Sequence, residues 1–415
     1  MMDNKTIRIV KSTAPLLQEH SKAIGKRFYQ LLFGSHPELY NLFNQTNQRR
    51  GIQQKALAHS VYTSGEHLDN LEAIRPIITC IAHKHRAIGV VPEQYPIVGE
   101  KLIQAVQDVL GSQTNKEILD AWEKAYHFIA DIFIRIERDL YEQAESQPGG
   151  WRGFRDFVVD QKVKESEVIT SFYLKPADGK AIAPYLAGQY LTLRAKIPGE
   201  KYDHIRHYSL SDVPGKDYYR ITVKREDAHN GNPPGIVSNY LHHQVNEGDI
   251  LSFSAPAGDF VLTENSDPLI LISGGVGLTP LLSMLKTTAE RQPGRHVTFI
   301  HAAINGDVHA MKDEVSRLTD QNPNIQSYVC YERPTEKDRQ AQNFDKEGFI
   351  DRSWLESIIS KPDGTFYFCG PIPFMKVIYR ALIEMGIPKN QIHFEAFSPI
   401  SVLIHERKSG DSMEF

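Results

Sequence analysis

The chain of 415 residues is long enough for two to four domains with separate cores, and its 41% hydrophobic and 24% charged residues are those of an ordinary globular protein. A net charge of -4 supplies no basic field, so neither nucleic acid nor an anionic membrane surface is an expected partner. Three scattered cysteines, Cys80, Cys330 and Cys369, exclude a disulfide framework and a CxxC metal site and favour a reducing compartment. The N-terminus is polar, and no run approaches the roughly 20 apolar residues of a membrane span. The expectation is a cytoplasmic protein without stable membrane association, a monomer.

Residues 1 to about 145 read as helical. Ile9, Thr13, Leu16, Leu17, His20, Ile24, Phe28, Leu31 and Leu32 recur at three- and four-residue steps and form one apolar stripe. The stretch Leu71 to Arg86 repeats the pattern with Ile74, Ile77, Ile78 and Ile81, and a third run extends from about Ile118 to Tyr141. Pro37, Gly51 and the run Gly89 to Pro92 mark loops. Ser146 to Gly150 is the clearest boundary, because the period beyond it becomes strand-like. Phe157 to Val159, Ile169 to Leu174 and Tyr218 to Val223 are short β-rich runs, which predict an antiparallel barrel to about Leu262, with Glu226 to Gly235 as a polar loop within it. From Pro268 apolar strands (Leu269 to Ile272, Val297 to Ile300, Ile325 to Val329, Phe366 to Phe368) alternate with helical stretches, the pattern of a doubly wound parallel α/β sheet. The expected fold is therefore multidomain: an all-α domain over 1–147, an antiparallel β-barrel domain over 152–263, an α/β domain over 267–399 and a loose C-terminal tail over 400–415.

In the helical part, His85 follows Ile74, Ile78 and Ile81 at helical spacing and lies on the buried face, whereas His83 lies off it. A histidine on an apolar face is commonly a satisfied core residue. A haem-iron ligand needs its second ring nitrogen hydrogen-bonded, and Tyr95 and Glu137 are candidates for that role. Glu137 is flanked by Arg135 and Arg138, so a solvated surface acid is its plainer reading. Tyr29 sits beside the stripe, Gln53 and Leu57 share one face of a helix beginning near Gly51, and Phe43 lies in the connection between. A phenol and an amide together can hydrogen-bond a polar haem ligand.

Arg206-His207-Tyr208-Ser209 follows a strand and resembles the RxYS signature of ferredoxin-reductase-type FAD domains. Arg206 is suited to the FAD pyrophosphate, Tyr208 to the flavin face and Ser209 to the flavin edge. Tyr190 precedes this segment; Gly235, Val237 and Ser238 follow it and are expected to open a helix whose N-terminus meets phosphate. Gly274, Gly275, Val276, Gly277, Leu278 and Thr279 come directly after a buried strand, and Cys369-Gly370-Pro371 ends a later one. This combination predicts nicotinamide-nucleotide binding, with Cys369 near the ring. The segment His301 to Asn305 carries no Arg or Lys for a 2′-phosphate, so NADH is favoured and NADPH stays open.

The segments YNLFNQTNQR at 40–49, Lys84-His85, VPEQYPIVGE at 91–100, LDAWEKAY at 119–126 and GGW at 149–151 carry a wider resemblance. In that order they resemble the flavohaemoglobin family, over nearly the whole chain to about Pro399. The resemblance implies a globin domain with one haem b, an FAD barrel with one FAD, and an NAD(P) domain. It implies His85 as the proximal ligand of the haem iron, Tyr95 and Glu137 as its support, Tyr29, Gln53 and Leu57 on the distal side, Phe43 beside the cofactor, and Lys84 as a lysine tuning the haem and flavin potentials. Near the end, Glu395, Ala396, Phe397, Ser398 and Pro399 resemble the family's terminal segment, with Phe397 over the flavin and Ser398 where relatives have Gly.

The activity the resemblance implies is nitric oxide dioxygenase: NO and O2 become nitrate, with electrons from NAD(P)H passing through FAD to haem. Two alternatives stay open on the sequence, a haem-flavin reductase of peroxides, quinones or ferric compounds and an oxygen or NO sensor or store.

Overall fold

The computed structural model describes residues 2–49, 51–228, 231–359 and 363–397. Within these, the chain forms two compact units, Met1–Ser146 with Arg194–Arg206, and Gln147–Leu193 with His207–Ser398. The expectations for Ser398, Pro399 and the tail over 400–415 lie outside the described residues.

The first unit is helical: α1 (Asn4–Glu19), α2 (Ser21–Ser35), α3 (Gln45–Arg49), α4 (Ile52–Glu66), α5 (Arg75–Ile88), α6 (Gln94–Leu110) and α7 (Lys116–Ser146). The stripe over Ile9 to Leu32 is divided between two helices that meet at His20. The face α1 buries is Thr6, Val10, Ala14 and Leu17, so Ile9, Thr13 and Leu16 sit at its edge. Thr13 there accepts the Trp122 indole N–H at 2.9 Å. The run Leu71 to Arg86 is likewise two pieces, a single 3-10 turn over Leu71–Ile74 and then α5. Pro76 accounts for the break: it lacks an N–H and so belongs in a first helical turn, where none is needed.

Two glycines set the helix crossings that matter for the site. A Cβ on Gly25 of α2 would meet the Gln54 carbonyl oxygen of α4 at 3.0 Å, and one on Gly99 of α6 would lie 2.4 Å from the Tyr126 ring of α7. The absence of a side chain relieves the tight contact at Gly25 and permits the closer one at Gly99.

Two sheets follow the helices, all in the second unit except the strand residues that fall within Arg194–Arg206. In the first, β1 (Phe154–Lys164), β2 (Ile169–Pro176), β3 (Tyr190–Ala195), β4 (His204–Ser209), β5 (Tyr219–Lys224) and β6 (Ile250–Ser254) lie in the order β4-β3-β6-β1-β2-β5. Pairing of β1 with β2 and β6, and of β2 with β5, is antiparallel, and a bridge between Leu210 and Ile221 joins the two edges into a barrel. Helix α8 (Ile236–His243) follows β5.

The second sheet interleaves β7 (Leu269–Gly274), α9 (Leu278–Arg291), β8 (Val297–Ala303), α10 (Lys312–Gln321), β9 (Ile325–Tyr331), α11 (Glu336–Ala341), β10 (Lys346–Glu347), α12 (Arg352–Ile358), β11 (Thr365–Cys369), α13 (Ile372–Glu384) and β12 (Ile392–Glu395). All its strand pairs are parallel, in the order β10-β9-β8-β7-β11-β12. Alternation along β7 explains the two cores: Leu269 and Leu271 pack with α9 and α10, while Ile270 and Ile272 pack with α12 and α13. Strand order reverses between β7 and β11, and ligands of open α/β sheets bind at the carboxyl ends of strands at such a reversal.

Candidate functional site

The helical unit gathers His85, Tyr95 and Glu137 from α5, α6 and α7. The Glu137 Oε1 accepts from His85 Nδ1 at 2.7 Å and from the Tyr95 hydroxyl at 2.6 Å, and Tyr95 lies 3.2 Å from the same Nδ1. Glu137 is 3% exposed, so the surface-acid reading fails. A buried carboxylate stays without cost only when hydrogen-bonded, and here both bonds come from the triad. Burial, then the charge and hydrogen bond of Glu137, push the Tyr95 phenol up, so it remains a donor. With Nδ1–H assigned to the carboxylate, the Nε2 lone pair faces away from the triad and takes no hydrogen bond among the described residues. Tyr126 fixes α6 by donating to the Tyr95 carbonyl at 2.6 Å, beside the Gly99 crossing. This donor set suits a haem iron: one imidazole whose Nδ1 is held by a buried carboxyl group, leaving Nε2 for the metal.

On α2, Tyr29 is 6% exposed and its ring meets Phe28, Phe33 and Phe43 at centroid distances of 4.8, 5.5 and 5.6 Å. Burial pushes its phenol up, and the nearby side-chain amides of Gln48 and Gln53 act in the opposite sense. Gln53 and Leu57 lie four apart on α4, the helix held against α2 at Gly25. Leu57 and Phe43 are half-buried against the same core. Gln48, on the five-residue helix α3, is the member sequence reasoning missed, because so short a helix shows no periodicity. Lys84 lies on α5 directly before His85.

In the barrel, β4 carries Arg206, His207, Tyr208 and Ser209. His207 Nδ1 lies 2.8 Å from the Thr192 hydroxyl, its ring is 4.8 Å from that of Tyr190, Tyr208 is half-buried and Ser209 is buried. Arg206 donates to the Ile205 carbonyl at 2.7 Å and to the Thr46 hydroxyl at 3.2 Å. Gly235 caps α8; Val237 is buried, and the Ser238 hydroxyl accepts from the Glu226 N–H at 3.1 Å while donating to the Gly235 carbonyl at 3.3 Å. An aromatic face, a cation and a hydroxyl on one strand suit a flavin dinucleotide.

The nucleotide turn sits at the strand-order reversal. Gly274 ends β7, Gly275-Val276-Gly277 form a 3-10 turn, and Leu278 and Thr279 begin α9 buried, with the Thr279 hydroxyl donating to the Val276 carbonyl at 3.0 Å. Gly275 has φ +54 and open space where a Cβ would be, so its backbone is accessible to a diphosphate. A Cβ on Gly277 would fall 2.3 Å from the Cys369 carbonyl oxygen, so the turn and the Cys369-Gly370-Pro371 segment abut. Cys369 is fully buried, and burial together with nearby Glu395 pushes its thiol well up, so it is a neutral thiol and not a nucleophile. Glu395 ends β12 beside Cys369, Ala396 is buried and Phe397 is half exposed.

One buried pair in this sheet predicts acid lability. The His301 and His309 rings lie tilted with centroids 4.4 Å apart, with His301 Nδ1 2.7 Å from the Ser273 hydroxyl and His309 Nδ1 2.9 Å from the Tyr331 hydroxyl. Burial, then His309, pushes His301 well below the usual 6.5; burial, then Lys312, pushes His309 to about 4 against the pull of Asp338. Both bind a proton less well folded than unfolded. The stability they contribute is therefore full above pH 6.5 and is lost as pH falls toward about 4, by up to about 1.4 kcal/mol per pH unit for each group. Unfolding midpoints of the second unit should fall across this window, and H309F should flatten the decline; an equally steep decline in H309F would refute the assignment.

Comparison with known proteins agrees with this geometry. Residues 26–133 match the family Globin, 156–262 the Oxidoreductase FAD-binding domain and 271–380 the Oxidoreductase NAD-binding domain. The flavohemoprotein of Halalkalibacterium halodurans is 54% identical over 403 residues, covering 97% of this chain and 98% of the relative. The crystal structure of a Malassezia yamatoensis flavohemoglobin with bound FAD and heme superposes with a TM-score of 0.84 at 25% identity, covering 95% of this chain and 99% of that one. The FAD/NAD-binding domain of a Vibrio cholerae nitric oxide dioxygenase, 39% identical, matches with a TM-score of 0.54 over 58% of this chain and 98% of its own length. Likeness at this identity, running almost end to end through all three family matches, places the chain in the flavohemoprotein family.

Proposed function

We propose that the chain is an NADH-dependent nitric oxide dioxygenase that removes NO, with domains at 1–147, 152–263 and 267–399. The observation that carries the reading is the His85–Glu137–Tyr95 triad, supported by the nitric oxide dioxygenase among its structural relatives. When bound, NADH supplies a hydride, FAD divides it into single electrons, and haem iron brings O2 and NO together. The chain's own residues do the rest.

Glu137 draws the Nδ1 proton and raises the electron density at His85 Nε2, which favours activation of dioxygen over its reversible storage. Tyr95 shares the same carboxylate oxygen and holds its lone pairs in register. Tyr29, kept protonated by burial, is a permanent donor to a polar ligand, with Gln53 and Gln48 beside it. On the reductase side, Ser209 and Tyr208 orient the flavin, and the Gly275 backbone receives the pyrophosphate. Alanines at 302 and 303, where a cation would bind a 2′-phosphate, favour NADH over NADPH. Cys80, Cys330 and Cys369 form no disulfide among the described residues, which suits a reducing compartment.

Replacing Tyr29 by Phe removes one donated hydrogen bond and should speed oxygen release by about tenfold while lowering NO turnover. Oxygen release at the wild-type rate, measured by stopped flow with CO as the trap, would remove Tyr29 from the distal role. The competing reductase reading is tested by offering NO, hydrogen peroxide, a quinone and ferric citrate to the NADH-reduced protein. NO should be consumed fastest; faster turnover of another acceptor would replace the dioxygenase reading.

A further inference from the structure

Four charged side chains that none of the sites above uses, two buried and two half-buried, lie between the barrel and the α/β sheet of the second unit. Asp212 stands three residues after Ser209, and Arg220 is on β5; both are under 5% exposed. Lys286 is on α9 and Glu314 on α10. The Lys286 ammonium donates to both Asp212 and Glu314. Arg220 reaches Glu314 Oε2 at 3.1 Å and lies 3.8 Å from Asp212 Oδ2, so the two anions and two cations close a ring of zero net charge. Neutral bonds complete it. Tyr218 donates to Asp212 Oδ2 at 2.9 Å, while Tyr185 and Ser283 donate to the Asp212 carbonyl at 2.7 and 2.6 Å.

The position of this ring matters more than its strength. Ser283 and Lys286 share one face of α9, the helix whose first residue follows the nucleotide turn, and Asp212 continues the segment that carries Tyr208 and Ser209. Attraction across the junction is already supplied by apolar contact: Ala187 and Phe260 of the barrel pack in one cluster with Leu281, Leu282 and Met284 of α9. Apolar packing is non-directional and tolerates a slide of the helix. A closed ring anchored on the buried Asp212 and Arg220 does not, because a slide that parts it leaves those two charges desolvated and unpaired.

We propose that the Asp212–Lys286–Glu314–Arg220 ring is a positioning device that registers the nucleotide helix against the flavin segment for hydride transfer. The inference rests on the flavin and nucleotide sites proposed above. In the step it serves, the C4–H bond of the dihydronicotinamide breaks and both electrons pass with the hydrogen to flavin N5; the nicotinamide is oxidised, the flavin is reduced, and solvent supplies the proton at N1. The rate of such a step depends steeply on donor–acceptor geometry, while binding of the nucleotide does not.

The test is anaerobic stopped-flow reduction of the FAD-loaded full-length protein by NADH, with the long-wavelength charge-transfer absorption as a second readout. D212N should slow flavin reduction at saturating NADH by about tenfold and weaken the charge-transfer band, with the NADH Kd changed by less than about threefold. K286M keeps the apolar stem of the lysine against the junction, so it serves where D212N does not fold, and should behave alike. K286R keeps the charge and should recover most of the rate. Reduction and charge-transfer absorption within about twofold of wild type in K286M, with or without a lower melting temperature, would overturn the positioning role. Failure of the wild-type protein to be reduced by NADH would instead overturn the nucleotide site itself.

Discussion

Replacing Glu137 by Gln should lower NO turnover by about 10- to 100-fold while leaving the helical unit folded. The amide keeps the volume of the carboxylate, and its oxygen can still accept from His85 Nδ1, which now lies 2.7 Å from Oε1. What disappears is the negative charge that draws the Nδ1 proton. The loss is confined to the electronics of Nε2, so the effect on rate should exceed the effect on stability. The iron–histidine stretching band of the ferrous protein should move to lower frequency, because a less basic imidazole binds iron more weakly. Turnover and band both at wild-type values would show that the buried triad is structural only. Y95F should give a smaller effect of the same sign, since the Glu137 charge remains.

The second large effect is expected at Gly277. A methyl group there would meet the Cys369 carbonyl oxygen at 2.3 Å, its carbon at 2.5 Å and the Gly370 nitrogen at 2.7 Å, all of them backbone. No rotamer change relieves such contacts, so β11 or the nucleotide turn must move. G277A should destabilise the second unit by about 1–3 kcal/mol and reduce the rate of flavin reduction by NADH by at least about tenfold. Urea unfolding gives the first number and stopped flow the second. G275A, at φ +54 but with open space around its Cβ, should be milder in stability. Equal stability of G277A and wild type would mean that the close approach is not maintained in solution.

Much of the candidate site is legible in the chain because its parts obey local rules. His85 stood on a helical stripe, and the glycine turn followed a buried strand. What was not legible is what folding brings together from afar. The burial of Glu137 between arginines depends on α5 and α6 covering one face of α7 while Arg135 and Arg138 point away, and no local pattern encodes that. Gln48 lies on a helix too short for a period. The break at His20 has neither proline nor glycine to announce it. The charge ring is assembled from four elements, and each member alone reads as an ordinary surface residue. Among the described residues no helix is long and apolar enough to cross a membrane.

The most direct measurement is NO loss at an electrode, with the aerobic protein loaded with haem and FAD and supplied with NADH. Rapid and repeated NO removal that requires NADH and yields one nitrate per NO is the predicted result. NADH oxidation that proceeds at the same rate with and without NO, while NO decays as in buffer, would contradict the dioxygenase reading.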